Sequence, residues 1–160
     1  MALAVGTGIA YLSAEPCPIK AWIGVGAHGN NPLKSGVADS GGPSLIEESL
    51  VPPKFTITES PLNPTFHGVG CSTTGVKGYV SLPIRFPNAA ALSGDDRAAR
   101  ALLVWVEFQM VDKIACGYLI GCDVFRPHEA IIDEGAGQII FPRQNPPFKI
   151  PITNGDRFNK

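Results

Sequence analysis

Charge is scarce in this chain and nearly balanced. Only 17% of the 160 residues are Asp, Glu, Lys or Arg, and 13 Lys+Arg stand against 14 Asp+Glu, giving a formal net charge of −1. A domain held to nucleic acid or to an anionic membrane by charge needs surplus cations on one face, and neither the total nor any run supplies them. No direct nucleic-acid partner and no membrane are expected. Cysteine is also sparse: Cys17, Cys71, Cys116 and Cys122 include no Cys-x-x-Cys pair, and no His stands at metal-ligand spacing. That argues against a metal site and against a disulfide framework, and reads as reduced intracellular thiols. No stretch reaches the ~20 apolar residues of a membrane span. The apolar opening Met1–Ala14 lacks a basic start and is broken by Gly and Ser, which makes it a poor signal peptide. The expected compartment is intracellular, the cytoplasm.

What the chain has is apolar residues, 44% of the total, with 18 Gly and 15 Pro scattered through them. That composition excludes disorder and suits many short strands joined by tight turns around one core. Ile19–Val25 and Leu33–Ala38 read as a hairpin across the turn 26–32. Ser44–Leu50 reads as a strand or short helix ended by Pro52 and Pro53. Phe55–Pro64 holds a further strand and a loop. Phe66–Phe86 reads as a long hairpin hinged at Gly70–Gly75. Pro87–Arg100 reads as an Ala-rich loop with room for a helical turn, and its Asp95, Asp96, Arg97 and Arg100 as a solvated group. Leu102–Phe108 and Ile114–Ile120 are expected strands, Asp123–Glu129 a helix, and Ile131–Asp133 with Gln138–Phe141 a closing hairpin. Trp22 and Trp105 lie inside strands and are assigned to the core. His28, His67 and His128 are too separated to form a cluster. The fold class is all-β with one or two short helices, divided as an N-terminal segment 1–17, a domain 18–141 and a Pro-rich tail 142–160.

The chemistry lies in Val37-Ala38-Asp39-Ser40-Gly41-Gly42, an acid at the end of an apolar strand followed at once by Ser-Gly. Alone, it is compatible with an ordinary turn. Far downstream, Leu119-Ile120-Gly121 follows a strand and leads into a helix. Together with the intervening hairpin, these parts resemble, in order and spacing, the retropepsins, the single-domain aspartic proteases of retroviruses and retrotransposons. Tyr118–Phe141 looks most like the gypsy-type retrotransposon proteases, and Phe66-His67-Gly68-Val69-Gly70 is similar to the flap of ubiquitin-shuttle retropepsins. The resemblance spans about residues 18–141. One departure is Gly42, where the family usually carries Ala or another small residue.

The resemblance implies a single-domain acid-protease barrel with a flap hairpin. It further implies peptide hydrolysis by two carboxylates about 3 Å apart around one water, one acting as base and the other as acid. The chain has one Asp-Ser-Gly, and Asp133-Glu134-Gly135 lacks the hydroxyl residue, so the second carboxylate is expected from another copy in a two-fold homodimer. Asp39 is then the catalytic acid and base, Ser40 bonds across the two-fold axis, and Gly41 permits close approach of the backbone. Gly70, Cys71, Ser72, Thr73 and Thr74 close as a flap over an extended peptide, and Gly121 lets the crossing chain pack. The expected substrate is a polypeptide, a retrotransposon polyprotein, with no cofactor and no metal. A catalytically silent dimerisation or peptide-binding module of the same fold is the alternative.

Two other matches fail on context. Asp39-Ser40-Gly41-Gly42-Pro43 resembles the nucleophile loop of trypsin-like proteases, but too few residues precede it to supply that family's His and Asp. Ala130–Gly135 resembles a hairpin of trimeric dUTP pyrophosphatases, whose Arg-Ser-Gly loop and glycine-rich tail are missing.

Overall fold

The computed structural model describes residues 17–24, 32–59, 65–68 and 71–153. The N-terminal segment, the first turn with His28, part of the loop before Pro64, Gly70 and the end of the tail lie outside the described residues.

Strand β1 (Cys17–Ile23) pairs antiparallel with β2 (Lys34–Ala38), as the alternation predicts, with Cys17 opposite Ala38. The segment after Ser44 is both strand and helix: β3 (Leu45–Glu47) runs straight into a 3-10 turn, Glu48–Leu50. A two-residue strand β4 (Thr58–Glu59) and strand β5 (Thr65–Gly68) follow, then β6 (Cys71–Pro87), a single strand of 17 residues. Helix α1 (Ala89–Ser93) sits in the connection to β7 (Ala101–Val111). After β7 come β8 (Tyr118–Ile120), helix α2 (Cys122–His128) and strands β9 (Ile131–Asp133), β10 (Gln138–Phe141) and β11 (Phe148–Pro151).

The main sheet runs β1-β2-β8-β3-β7-β6 and closes where Trp22 and Ile23 of β1 pair with Arg85 and Ile84 of β6. The result is a six-stranded barrel. Closure removes the edges an open sheet would expose. β9, β10 and β11 form a second sheet in which β10 is central.

Strand β7 shows how the core is filled. Leu102, Val104, Val106 and Phe108 point inward at 8% exposure or less, and the residues between them point out. The period of two fixes that division. Trp105, assigned to the core from its apolar run, is therefore on the outer face and 60% exposed. Trp22 is only half-buried, with the Arg85 guanidinium carbon 5.3 Å from its ring centre. A cation over an aromatic face is attracted by the ring quadrupole, so the pair caps the sheet rather than filling it.

Two other expectations change. Of the stretch Ile114–Ile120 only the last three residues are strand, because Ile114–Gly117 forms a turn with Gly117 N–H donating to the Ile114 carbonyl at 3.0 Å. Gly117 has φ +84°, a conformation that suits glycine. Glu47 pins this turn by accepting from Ile114 N–H at 3.2 Å, and a hydrogen bond from the Ser49 hydroxyl, followed by that backbone bond, holds its carboxyl below the ordinary glutamate range. The Pro-rich stretch after Pro142 contributes β11, and Ile150 and Ile152 enter the main core. Thr153 N–H donates to the Pro18 carbonyl at 2.8 Å, which returns the chain to its first strand.

Candidate active site

β2 and β8 lie side by side and parallel, with Val37 opposite Leu119 and Ala38 opposite Ile120. Both strands end at the same level, so Asp39 and Gly121 leave the barrel as neighbours although they are far apart in sequence. The two exits then cross. Asp39 N–H donates to the Ile120 carbonyl at 2.9 Å, and Cys122 N–H donates to the Gly42 carbonyl at 2.6 Å.

The Asp39 loop is a tight turn held by its own side chain. Gly41 N–H donates to Asp39 Oδ1 at 2.9 Å, and Gly42 N–H approaches the Asp39 carbonyl at 3.4 Å. This is the local bonding that makes Asp a turn residue. Asp39 is half-buried, while Ser40 and Gly41 are exposed. Among the described residues the Ser40 hydroxyl bonds to nothing.

Gly121 is required by space. Its φ of −113° is open to any residue. A Cβ there, however, would stand 2.1 Å from the Gly42 oxygen and 2.5 Å from the Pro43 carbonyl carbon. Gly36 on β2 has the same role one turn back, since a Cβ would fall 2.3 Å from the Tyr118 ring. That ring is fully buried and its hydroxyl donates to the Lys34 carbonyl at 2.8 Å. Burial, with the Cys116 thiol adding to it, pushes the Tyr118 phenol far above its usual range, so it stays a donor.

Two residues of this crossing escaped the sequence reading. Ser44, 1% exposed, is the buried polar residue among those described. Its hydroxyl donates to Asp123 Oδ1 at 2.7 Å and accepts from Gly121 N–H at 2.9 Å, while its own N–H donates to the same Asp123 oxygen at 3.1 Å. Its carbonyl accepts from Gln109 N–H at 3.0 Å. One side chain thus joins the loop after Asp39 to the start of α2. The signal in sequence is a small polar residue two or three places after each glycine signature. Replacing it, Ser44→Ala, should strand the buried Gly121 N–H and lower stability by about 1–3 kcal/mol, read as a lower Tm in thermal denaturation.

The hairpin of β5 and β6 forms as expected, but its turn is displaced. Gly68 pairs with Cys71, so Cys71, Ser72, Thr73 and Thr74 lie in one arm instead of at the hinge. Gly70 lies outside the described residues. No hydrogen bond joins these arms to the Asp39 loop among the described residues. The structure therefore brings together Asp39, Ser40, Gly41 and Gly121, and keeps the flap strands on a separate extension of β6.

Among the described residues no cluster of three or more His, Cys, Asp or Glu is placed to hold a metal ion, and no helix is long and apolar enough to cross a membrane. No protein-family model matches the chain, and no curated protein matches it in sequence. Among solved structures, the chain is similar to the retroviral protease-like domain of Ddi1 from Leishmania major. The match has a TM-score of 0.56 and 14% identity, covering 86% of this chain and 93% of that one. A six-stranded closed barrel with two short helices and a protruding hairpin, on that likeness, is a retropepsin-like fold.

Proposed function

We propose that the protein is an aspartic endopeptidase that works as a homodimer, with Asp39 of each copy forming the catalytic pair. The observation that carries this reading is the position of Asp39, at the common end of two parallel strands, in a turn that anchors Oδ1 on Gly41 N–H. Ser40 beside it is exposed and unbonded among the described residues, as a contact across a two-fold axis requires.

In the proposed reaction one carboxylate takes a proton from water as the oxygen attacks the peptide carbonyl carbon. The other gives its proton to the carbonyl oxygen. Breakdown of the resulting gem-diol breaks the C–N bond: the departing nitrogen is protonated by the first carboxyl, and the second carboxylate takes the proton from one of the diol hydroxyls, which restores the pair. The extended substrate lies beneath the β5–β6 hairpin and pairs through its backbone. The gypsy-like wording of Tyr118–Phe141 supports a retrotransposon polyprotein as the substrate. The presence of both Asp39 and Ser40 favours chemistry over a silent binding module.

Edge strand β9, whose Ile131 is 51% exposed, suits an interface between copies. Hydrolysis per mole of chain should then rise with protein concentration and level off as dimers form. Ile131→Glu should raise the half-maximal concentration at least ~10-fold, since burying an apolar side chain contributes about 1.5–3 kcal/mol. The rate should trace a bell against pH, with its optimum on the acid side. Full activity from a sample shown by sedimentation to be monomeric would sink the proposal.

A further inference from the structure

We propose that a second cleft, between α1 and β11, docks an acidic peptide segment. Its volume is about 660 Å³, within the ~300–1,000 Å³ of ligand sites. It is lined by neither Asp39 nor Gly121, and the inference stands apart from the proteolytic reading.

One wall is the base of the excursion 88–100, where Asn88, Ala89, Ala90 and Arg100 line the cleft, and Asn88 holds it in shape. Asn88 Oδ1 accepts from Ala91 N–H at 2.9 Å and from Arg100 N–H at 3.0 Å, and Nδ2 donates to the Ala98 carbonyl at 3.0 Å. Asn88 N–H donates to the Arg100 carbonyl at 2.9 Å, which closes the base of the excursion. Arg100 Nη1 donates to the carbonyls of Arg97 at 3.3 Å and Ala99 at 2.8 Å, fixing the guanidinium and leaving Nη2 and Nε unengaged among the described residues. The wall is preorganised.

The opposite wall comes from Gln138 on β10, the turn 144–147 and Lys149 on β11. Among the described residues the side chains of Gln138, Gln144 and Lys149 form no hydrogen bond or ion pair. Both lining cations, Arg100 and Lys149, are exposed, and no lining residue is Asp or Glu, although the chain as a whole carries one more acid than base. That local excess of positive charge selects carboxylates. The unpaired amides of Gln138 and Gln144 each offer both donors and an acceptor, which suits the N–H and C=O groups of an extended backbone. A bare phosphate would satisfy the cations and leave the amide acceptors unmatched.

Fluorescence anisotropy with a labelled octapeptide of alternating Glu and Ala tests this, alongside the same peptide carrying Gln for Glu. Binding should weaken at least ~10-fold for the Gln peptide and, with the Glu peptide, for Lys149→Glu, an exposed side chain with no bond to lose. Lys54→Glu, on an exposed turn that does not line the cleft, should leave affinity unchanged. Amide chemical shifts should move along 88–102 and 144–149. Equal affinity for the Glu and Gln peptides, an unaltered Lys149→Glu, or shifts confined to the Asp39 loop would overturn the proposal. So would inorganic phosphate moving the same amides while the peptide fails to bind.

Discussion

Asp39→Asn should abolish peptide hydrolysis, by at least ~10³-fold, while leaving the protein folded. Positioned acid–base groups contribute about 10²–10⁴-fold to such reactions, and in a homodimer one substitution alters both members of the pair. The amide is nearly isosteric and retains an Oδ1 to accept from Gly41 N–H at 2.9 Å, so the turn survives. It cannot take up and release the proton. Cleavage of a polypeptide substrate, followed beside the Tm, separates the two effects. Loss of cleavage at an unchanged Tm assigns the proton transfers to Asp39. Retention of cleavage would place the chemistry elsewhere, and loss of both would make Asp39 a structural anchor.

Gly121→Ala should have the largest effect on stability. The added methyl meets two pieces of backbone, Gly42 and Pro43, at separations no van der Waals contact permits, and backbone cannot rotate aside as a side chain can. Overpacking typically costs about 1–3 kcal/mol. Here the strands of the crossing must also part, weakening the Cys122–Gly42 and Gly121–Ser44 hydrogen bonds at about 1 kcal/mol each. A total near 4 kcal/mol lowers the Tm on the order of 10 °C for a chain this size. Thermal denaturation reads it directly. A Tm within about 2 °C of wild type would mean that the crossing relaxes more easily than its hydrogen bonds suggest.

Elements that depend on neighbouring residues were legible in the sequence. The β9–β10 hairpin falls on the expected residues, because alternation and the turn Glu134–Gly137 suffice to define it. α2 starts within one residue of its expected position. Trp105 misleads because an unbroken apolar run, LLVWV, hides the alternation that sends every second residue outward. β11 was masked by Pro142, Pro146, Pro147 and Pro151, although Phe148, Ile150 and Ile152 keep a period of two. At the site, the Asp-Ser-Gly word and Gly121 could be paired through the order of family motifs. The Ser44–Asp123 bond could not, since it joins residues 79 apart and its partners are ordinary turn and helix-start residues. The antiparallel register of β3 and β8, with Leu45 opposite Leu119, makes them neighbours.

That separation gives the fold a sequence in time. β6 and β7 are zipped from Pro87–Ala101 inward, a pairing that closes a loop of only 14 residues. The Ser44–Gly121 contact closes one of 77. Chain-closure entropy grows as the logarithm of loop length, so the longer closure costs about 1.5 kcal/mol more if it must form from an open chain. The β6–β7 ribbon is expected to assemble first and the Asp39–Gly121 crossing last, with the reverse order on opening. Native-state hydrogen exchange should find the amides of Gly121 and Cys122 exchanging through smaller openings than those of Val80 and Val106. Uniform protection across both would refute that order. A molecule built this way loses its Asp39–Gly121 crossing before its barrel, so mild stress would undo the proposed site without unfolding the rest.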